Sequence, residues 1–185
     1  MNDFFTEDEK KSMLSMARLV IAGHLSGKEA AYSFPEKLSK KGSCFVSLHT
    51  KDGNLRGCIG NIEAFELLGE NIIHNAINSA FQDPRFRPVQ SLAELSSLTI
   101  EISVMTAPKK INSPGDFIVG QHGIILMKDG ASAVFLPQVA PEQGWNREST
   151  LEHLSMKAGL LPDAWREPDA KFKVFEAIVF SENEK

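Results

Sequence analysis

A chain of 185 residues, 42% hydrophobic and 24% charged, can bury a core without disulfides or a structural metal. Its formal charge of −4 argues against a sequence-independent nucleic-acid binder, which carries a net basic balance. No run approaches the ~20 apolar residues of a membrane span, and Met1-Asn2-Asp3-Phe4-Phe5 lacks the basic start and apolar run of a signal peptide. The expectation is therefore a single cytoplasmic domain spanning residues 1–185, with lobe boundaries left open.

In chain order, Thr6 and Glu9 have capping-box spacing, and Met13, Leu14, Ala17, Val20, Ile21 and Leu25 follow at helical intervals up to a stop at Gly27. Cys44 to Thr50 reads as a strand, with Cys44, Val46 and Leu48 on one face and Phe45, Ser47 and His49 on the other. Asp52-Gly53 is the dipeptide of a tight type I′ hairpin turn, which returns the chain through Leu55 to Gly60. A regular strand there puts Arg56, Cys58 and Gly60 on one face, and Leu55 and Ile59 on the packed face. Glu66 to Gln82 reads as a second helix, with Leu68, Ile72, Ala76 and Ala80 in one row and Ile73, Ile77 and Phe81 in the next. It ends at Asp83-Pro84, because the residue before a proline is pushed out of the α region.

Leu98 to Val104 alternates as a half-buried strand. Ile124 to Met127 and Ser132 to Leu136 flank Lys128-Asp129-Gly130 as a second hairpin. Pro137 to Trp145 reads as a loop. Ser149 and Glu152 have capping-box spacing before Leu151, Leu154 and Ala158, and Phe172 to Phe180 reads as a final strand. Interspersed helices and strands with two hairpins predict an α+β fold with a largely antiparallel sheet and flanking helices.

Cys58 is the first chemical candidate. A thiolate is nucleophilic and a nearby cation such as Arg56 favours it. Gly57 and Gly60 on either side admit a close approach by another backbone or a ligand. The alternative is a buried thiol acting as a small hydrophobe between glycines that relieve strand crowding; Cys44 reads as a core residue. A nucleophilic cysteine also needs a base. His49, on the paired strand, is the nearest by topology, and His122, between Gln121 and Gly123, is a second candidate. Asp83-Pro84-Arg85-Phe86-Arg87-Pro88 sets arginine forks at a helix end, where they either recognise an anion or close a structural turn around Asp83, with Phe86 in the core. Glu101 on its polar face either orients Arg56 or Arg85, acts as a base, or is a solvated or ion-paired outer-face group. Trp145 and Trp165 read as loop anchors. No zinc spacing, phosphate loop or dinucleotide fingerprint occurs, so no metal or cofactor is implied by this chain alone.

Leu55-Arg56-Gly57-Cys58-Ile59-Gly60 resembles the signature of the AMME-syndrome candidate-region domain family, whose prokaryotic members are called AmmeMemoRadiSam system protein A. The likeness continues through Phe45-Val46-Ser47-Leu48, Asp83-Pro84-Arg85-Phe86, Ile100-Glu101-Ile102-Ser103-Val104, His122-Gly123, Phe135-Leu136-Pro137-Gln138-Val139-Ala140 and Lys157-Ala158-Gly159-Leu160. Ser155 stands where family members often carry a second cysteine. The resemblance implies a two-lobed fold, the larger lobe from both termini and the smaller from the middle, with the signature strand near a cleft between them. On that reading the cleft binds a small anionic or modified molecule through Arg56, Gly57, Gly60, Arg85, Glu101 and His122, with Cys58 as nucleophile or contact. The alternative it implies is a non-catalytic accessory protein for a Memo-like protein or a radical S-adenosylmethionine protein.

Overall fold

A computed structural model describes residues 4–28 and 35–182. Their elements are α1 (Glu7–Ser26), β1 (Ser43–His49), β2 (Leu55–Gly60), α2 (Leu68–Phe81), α3 (Leu92–Ser96), β3 (Thr99–Met105), β4 (Lys109–Ile111), β5 (Gly123–Lys128), β6 (Ala131–Phe135), α4 (Val139–Glu142), α5 (Arg147–Lys157), β7 (Lys171–Phe175) and β8 (Ala177–Ser181). The class is α+β, as the alternation patterns predict. Two four-stranded sheets fall into two compact units: Met1–Met105 with Ile178–Lys185, and Thr106–Ala177. The larger unit thus takes both ends of the chain and the smaller takes the middle.

In the first unit the strand order is β2-β1-β3-β8. Cys44, Val46 and Leu48 of β1 and Ile100, Ile102 and Val104 of β3 turn inward and are buried with α1 and α2 in one core. α1 forms where predicted because both ends are satisfied. Thr6 and Glu9 make the reciprocal capping box, and Gly27 closes the helix at φ 64°. Of the α2 rows, Leu68, Ile72, Ala76 and Ala80 are buried.

α2 also buries three polar side chains, Asn71, Asn75 and Ser79, and the two asparagines serve β1. Asn71 Oδ1 accepts the Cys44 N–H at 2.9 Å, and Asn75 Nδ2 donates to the Cys44 carbonyl at 3.1 Å. Together they satisfy the start of β1, where a buried unpaired backbone group costs about 1–3 kcal/mol.

The second unit has the order β4-β7-β5-β6, with every neighbouring pair antiparallel. Leu151 and Leu154 of α5 pack onto Ile124, Leu126, Phe172 and Val174 of this sheet.

Several expectations are corrected. The Asp52-Gly53 turn is not type I′. Positive φ in that turn is confined to Gly53 at 81°, and Thr50 N–H donates to Asn54 O at 2.9 Å. This is a three-residue loop whose αL glycine forms a bulge. The type I′ geometry belongs to the second hairpin, where Asp129 (φ 51°) and Gly130 (φ 80°) join the paired residues Lys128 and Ala131. Leu55 is exposed rather than packed, since it lies at the hairpin end of an edge strand. The cap of α5 is Asn146, whose side chain accepts the Ser149 N–H at 2.9 Å. The stretch from Phe172 to Phe180 is two strands in two sheets, interrupted at Glu176.

Candidate functional site

β2 is the edge strand that carries the Leu-Arg-Gly-Cys-Ile-Gly motif. Its register with β1 sets Cys58 opposite Ser47, and β1 in turn sets Ser47 opposite Glu101 of β3. One row of Cys58, Ser47 and Glu101 therefore crosses the sheet on the face turned away from the helices. Cys58 is half-buried and Ser47 is buried. The Ser47 hydroxyl donates to Cys58 Sγ at 3.2 Å.

The backbone of Cys58 points outward, where an edge strand ordinarily leaves N–H and C=O unpaired. Here the turn after α2 supplies both partners. Cys58 N–H donates to Asp83 Oδ2 at 2.9 Å, and Arg85 Nη2 donates to the Cys58 carbonyl at 3.1 Å. Asp83 and Arg85 thereby replace the missing neighbouring strand. Because the Cys58 backbone bonds outward, Ser47 and Cys58 form a non-hydrogen-bonded pair across the ladder, the kind whose side chains lie closer together.

The Asp83 carboxylate is buried and receives four donors: Arg85 N, Nε and Nη2, and Cys58 N. The Arg85 guanidinium foremost, then these backbone N–H groups, hold its carboxyl far below the usual range against the opposing effect of burial. Arg85 is held above its ordinary value, by Asp83 first and by the Cys58 side chain to a lesser degree. Its side chain remains 56% exposed, with Nε and Nη2 bonded to Asp83 and Nη2 also to the Cys58 carbonyl. Of the two readings of this turn, the structural closure around Asp83 is realised. Phe86 stays half-buried, however, and the residue that enters the core is Val89.

A register shift lies between Leu48 and His49: His49 pairs with Leu55 while Leu48 pairs with Gly57. Arg56 is the extra residue of this bulge, a feature that re-aims a side chain. Its Nε and Nη2 reach Glu94 Oε1 of α3 at 3.1 and 2.7 Å. Burial pushes Glu94 up, but the Gln90 N–H and then Arg56 outweigh it and leave Glu94 below its ordinary value. Arg56 Nη1 is buried with no hydrogen-bond partner. Neither arginine is oriented by Glu101, whose ion-pair neighbour is His49 Nε2 at 3.8 Å.

The space beside both motif glycines is filled by the protein itself. A Cβ on Gly57 would lie 2.2 Å from the main-chain oxygen of Ser79 in α2, and one on Gly60 would lie 2.3 Å from the Phe45 ring. A backbone, not open space, faces Gly57. His122 lies in the second unit, where its Nδ1 accepts the Ile118 N–H at 3.2 Å and its Nε2 stands 3.8 Å from Glu176. The site on the first sheet thus gathers Arg56, Cys58, Arg85 and Glu101 with Ser47, His49, Asp83 and Glu94. Ser47 was legible as a neighbour of His49 on the polar face. Glu94 carried no signal beyond its place three residues after the helix cap Ser91.

Cys44 differs in kind. It is fully buried in the core, and burial pushes its thiol up to about 12. Among the described residues no three His, Cys, Asp or Glu side chains are grouped to hold a metal, and no helix is long and apolar enough to cross a membrane.

The AMMECR1 family model matches residues 14–180. A protein of Methanopyrus kandleri is 39% identical over 193 residues, covering 100% of this chain and 93% of its own length. One of Methanocaldococcus jannaschii is 40% identical over 187 residues, covering 97% and 92%. The crystal structure of an uncharacterized protein from Pyrococcus horikoshii superposes with a TM-score of 0.83 at 37% identity, covering 97% of this chain and 94% of that one. The chain belongs to the AMMECR1 family.

Proposed function

We propose that this protein binds a small anionic or modified molecule against the polar face of β1, β2 and β3, with Arg85 engaging the anion and Cys58 as a contact. The observation behind this reading is the pairing of a half-buried thiol with a guanidinium whose side chain is more than half exposed. Cys58 sits on a strand position clamped through its backbone by Asp83 and by Arg85 itself. A group held this firmly loses little conformational entropy when it engages a ligand. Arg56 serves the site differently: with two nitrogens bound to Glu94, it fixes the bulge instead of reaching for a ligand.

The same geometry favours binding over turnover by the thiol. The polar neighbour of Cys58 is a hydroxyl, and His49 lies one side-chain row further along with Glu101 as its partner. A cysteine nucleophile needs a base within hydrogen-bond reach. The test is the rate at which iodoacetamide modifies Cys58 in millimolar inorganic phosphate or citrate, against chloride at equal ionic strength. Saturable protection is expected, with amide shifts in NMR spectra confined to Ser47, Cys58, Arg85 and Glu101. Modification at the same rate in all three salts defeats the proposal.

A further inference from the structure

The second unit carries a cavity of about 610 Å³, a size that suits a small molecule, at the edge of its sheet. Lys110, Lys171 and Arg166 line it together with Trp165 and the single carboxylate Glu167. That carboxylate is already engaged, since Glu167 accepts Lys128 Nζ at 2.9 Å. Arg166 lies over the Trp165 ring at 4.3 Å and pairs outward with Glu148. Lys110 and Lys171 have no ion-pair partner within 4.0 Å among the described residues; Asp169 acts on Lys171 at longer range.

The strand register adds an independent observation. β4 sets Lys110 directly opposite Lys173 of β7, and Lys171 stands two residues along β7 on the same face. Phe172, between the two β7 lysines, and Val174, just beyond, turn into the core. Like charges directly opposite across an antiparallel pair are destabilising. Here three lysines share one face of two neighbouring strands, and neither strand carries a carboxylate among them. An ordinary solvated sheet face interleaves both signs.

We propose that this cavity binds a small molecule carrying two or more phosphate groups, with Lys110 and Lys171 as its principal contacts. Lysines suit phosphate as point charges and need no bidentate geometry. Several cations spread along two strands match a chain of anionic groups better than a lone carboxylate. The site lies wholly within the second unit and is independent of the reading given for Cys58.

The experiment uses the full chain with Trp145→Phe, which leaves Trp165 as the only tryptophan and a reporter in the wall of the cavity. Sodium tripolyphosphate and ATP are titrated separately, by Trp165 fluorescence and by calorimetry. Saturable one-to-one binding of tripolyphosphate is expected. Lys110→Gln and Lys171→Gln should each weaken it about five- to tenfold, as loss of one charge-assisted contact implies. The ligand-free Lys110→Gln protein should melt no lower than its parent, since the substitution removes a repulsion; this separates lost binding from lost folding. If that variant fails to fold, Lys171→Gln carries the test alone. Equal affinity for the two probes assigns the site to the phosphate chain, and tighter ATP adds stacking on Trp165. Absence of saturation with both, or affinities unmoved by the lysine substitutions, overturns the proposal.

Discussion

Replacing Gly57 by alanine tests the tightest of the glycine positions among the described residues. The new Cβ would stand 2.2 Å from the Ser79 carbonyl oxygen and 3.1 Å from its carbon, whereas real Cβ atoms essentially never come within 3.0 Å of a neighbour. The obstacle is main chain in the last turn of α2, so no side-chain rotation relieves it. Either β2 or α2 must retreat by about 0.8 Å, at a cost near the upper end of the 1–3 kcal/mol range for overpacking. The lower backbone entropy of alanine in the unfolded chain returns about 0.4–1 kcal/mol. The net expectation is a loss of about 2 kcal/mol, or a melting point lowered by about 4–8 °C for a chain of this size. Trp145 and Trp165 both lie in the second unit, so fluorescence does not report on this strand. Circular dichroism melts and hydrogen exchange at the β1 and β2 amides are the appropriate readouts. Ser79→Ala should not rescue the variant, because the contact is with main chain. A melting point within a degree of the parent, with unchanged exchange at Cys58, would refute the close approach of strand and helix.

Asp83→Asn should cost about 2 kcal/mol, less than the 3–5 of a fully buried pair because Arg85 is half exposed to solvent. The folded value of Asp83 is depressed, so its contribution is complete above the unfolded-chain value near ~3.9 and drains away as pH falls toward the lower folded value. Urea midpoints of parent and variant should therefore converge in acid; a constant gap would show that the charge is not the cause. Lys128 donates to Asp129 and Asp169 at 2.8 and 2.6 Å and also pairs with Glu167, and these acids, Asp129 first, raise its value. Its contribution is present below the ordinary lysine range and lost as pH rises through the raised folded value, so Lys128→Met should lower the melting point at pH 7 and matter less in strong alkali. In native protein at neutral pH, Cys44 should resist thiol reagents until the chain is unfolded, because it is wholly buried and its thiol is pushed up to about 12; mass-mapped labelling of Cys44 before unfolding would contradict its burial.

The pairing of Ser47 with Cys58 shows how far the sequence could be read. A two-residue turn at Asp52-Gly53 pairs Lys51 with Asn54 and, counted back along both strands, Ser47 with Cys58. The actual three-residue turn pairs Thr50 with Asn54 and falls one residue out of step, and the bulge at Arg56 restores the register. The two departures cancel, so the polar face follows the predicted alternation even though the turn type does not. Periodicity also specified the buried rows of α1 and α2, because burial on one side imposes the helical period. The partners of the arginines were not legible. Asp83 lies two residues from Arg85 and the pairing was one of two readings, but Glu94 lies 38 residues from Arg56 and is chosen only when α3 docks beside β2. Asn71 and Asn75 broke the apolar pattern of α2 without a visible reason, since the strand they satisfy lies some thirty residues earlier. The split at Glu176 was hidden for a related cause: a mostly apolar stretch such as Phe172 to Phe180 looks the same whether one sheet or two receives it.

That split has a consequence for biosynthesis. β8 is the last strand of the first sheet, yet the ribosome makes it only after every residue of the second unit. Until then β3 presents an open edge, and the Ile100 N–H lacks the Glu182 carboxylate that later accepts it at 2.8 Å. The intervening segment can mature as a closed loop in the meantime, because its ends are already joined: Thr106 N–H donates to Glu176 O at 2.9 Å, and Glu176 N–H donates to Thr106 Oγ1 at 2.8 Å. The larger half of the protein is therefore begun first and finished last. A nascent chain stalled before residue 177 leaves a strand edge open to sticking, and the period of greatest aggregation risk is set by translation time through the middle of the message.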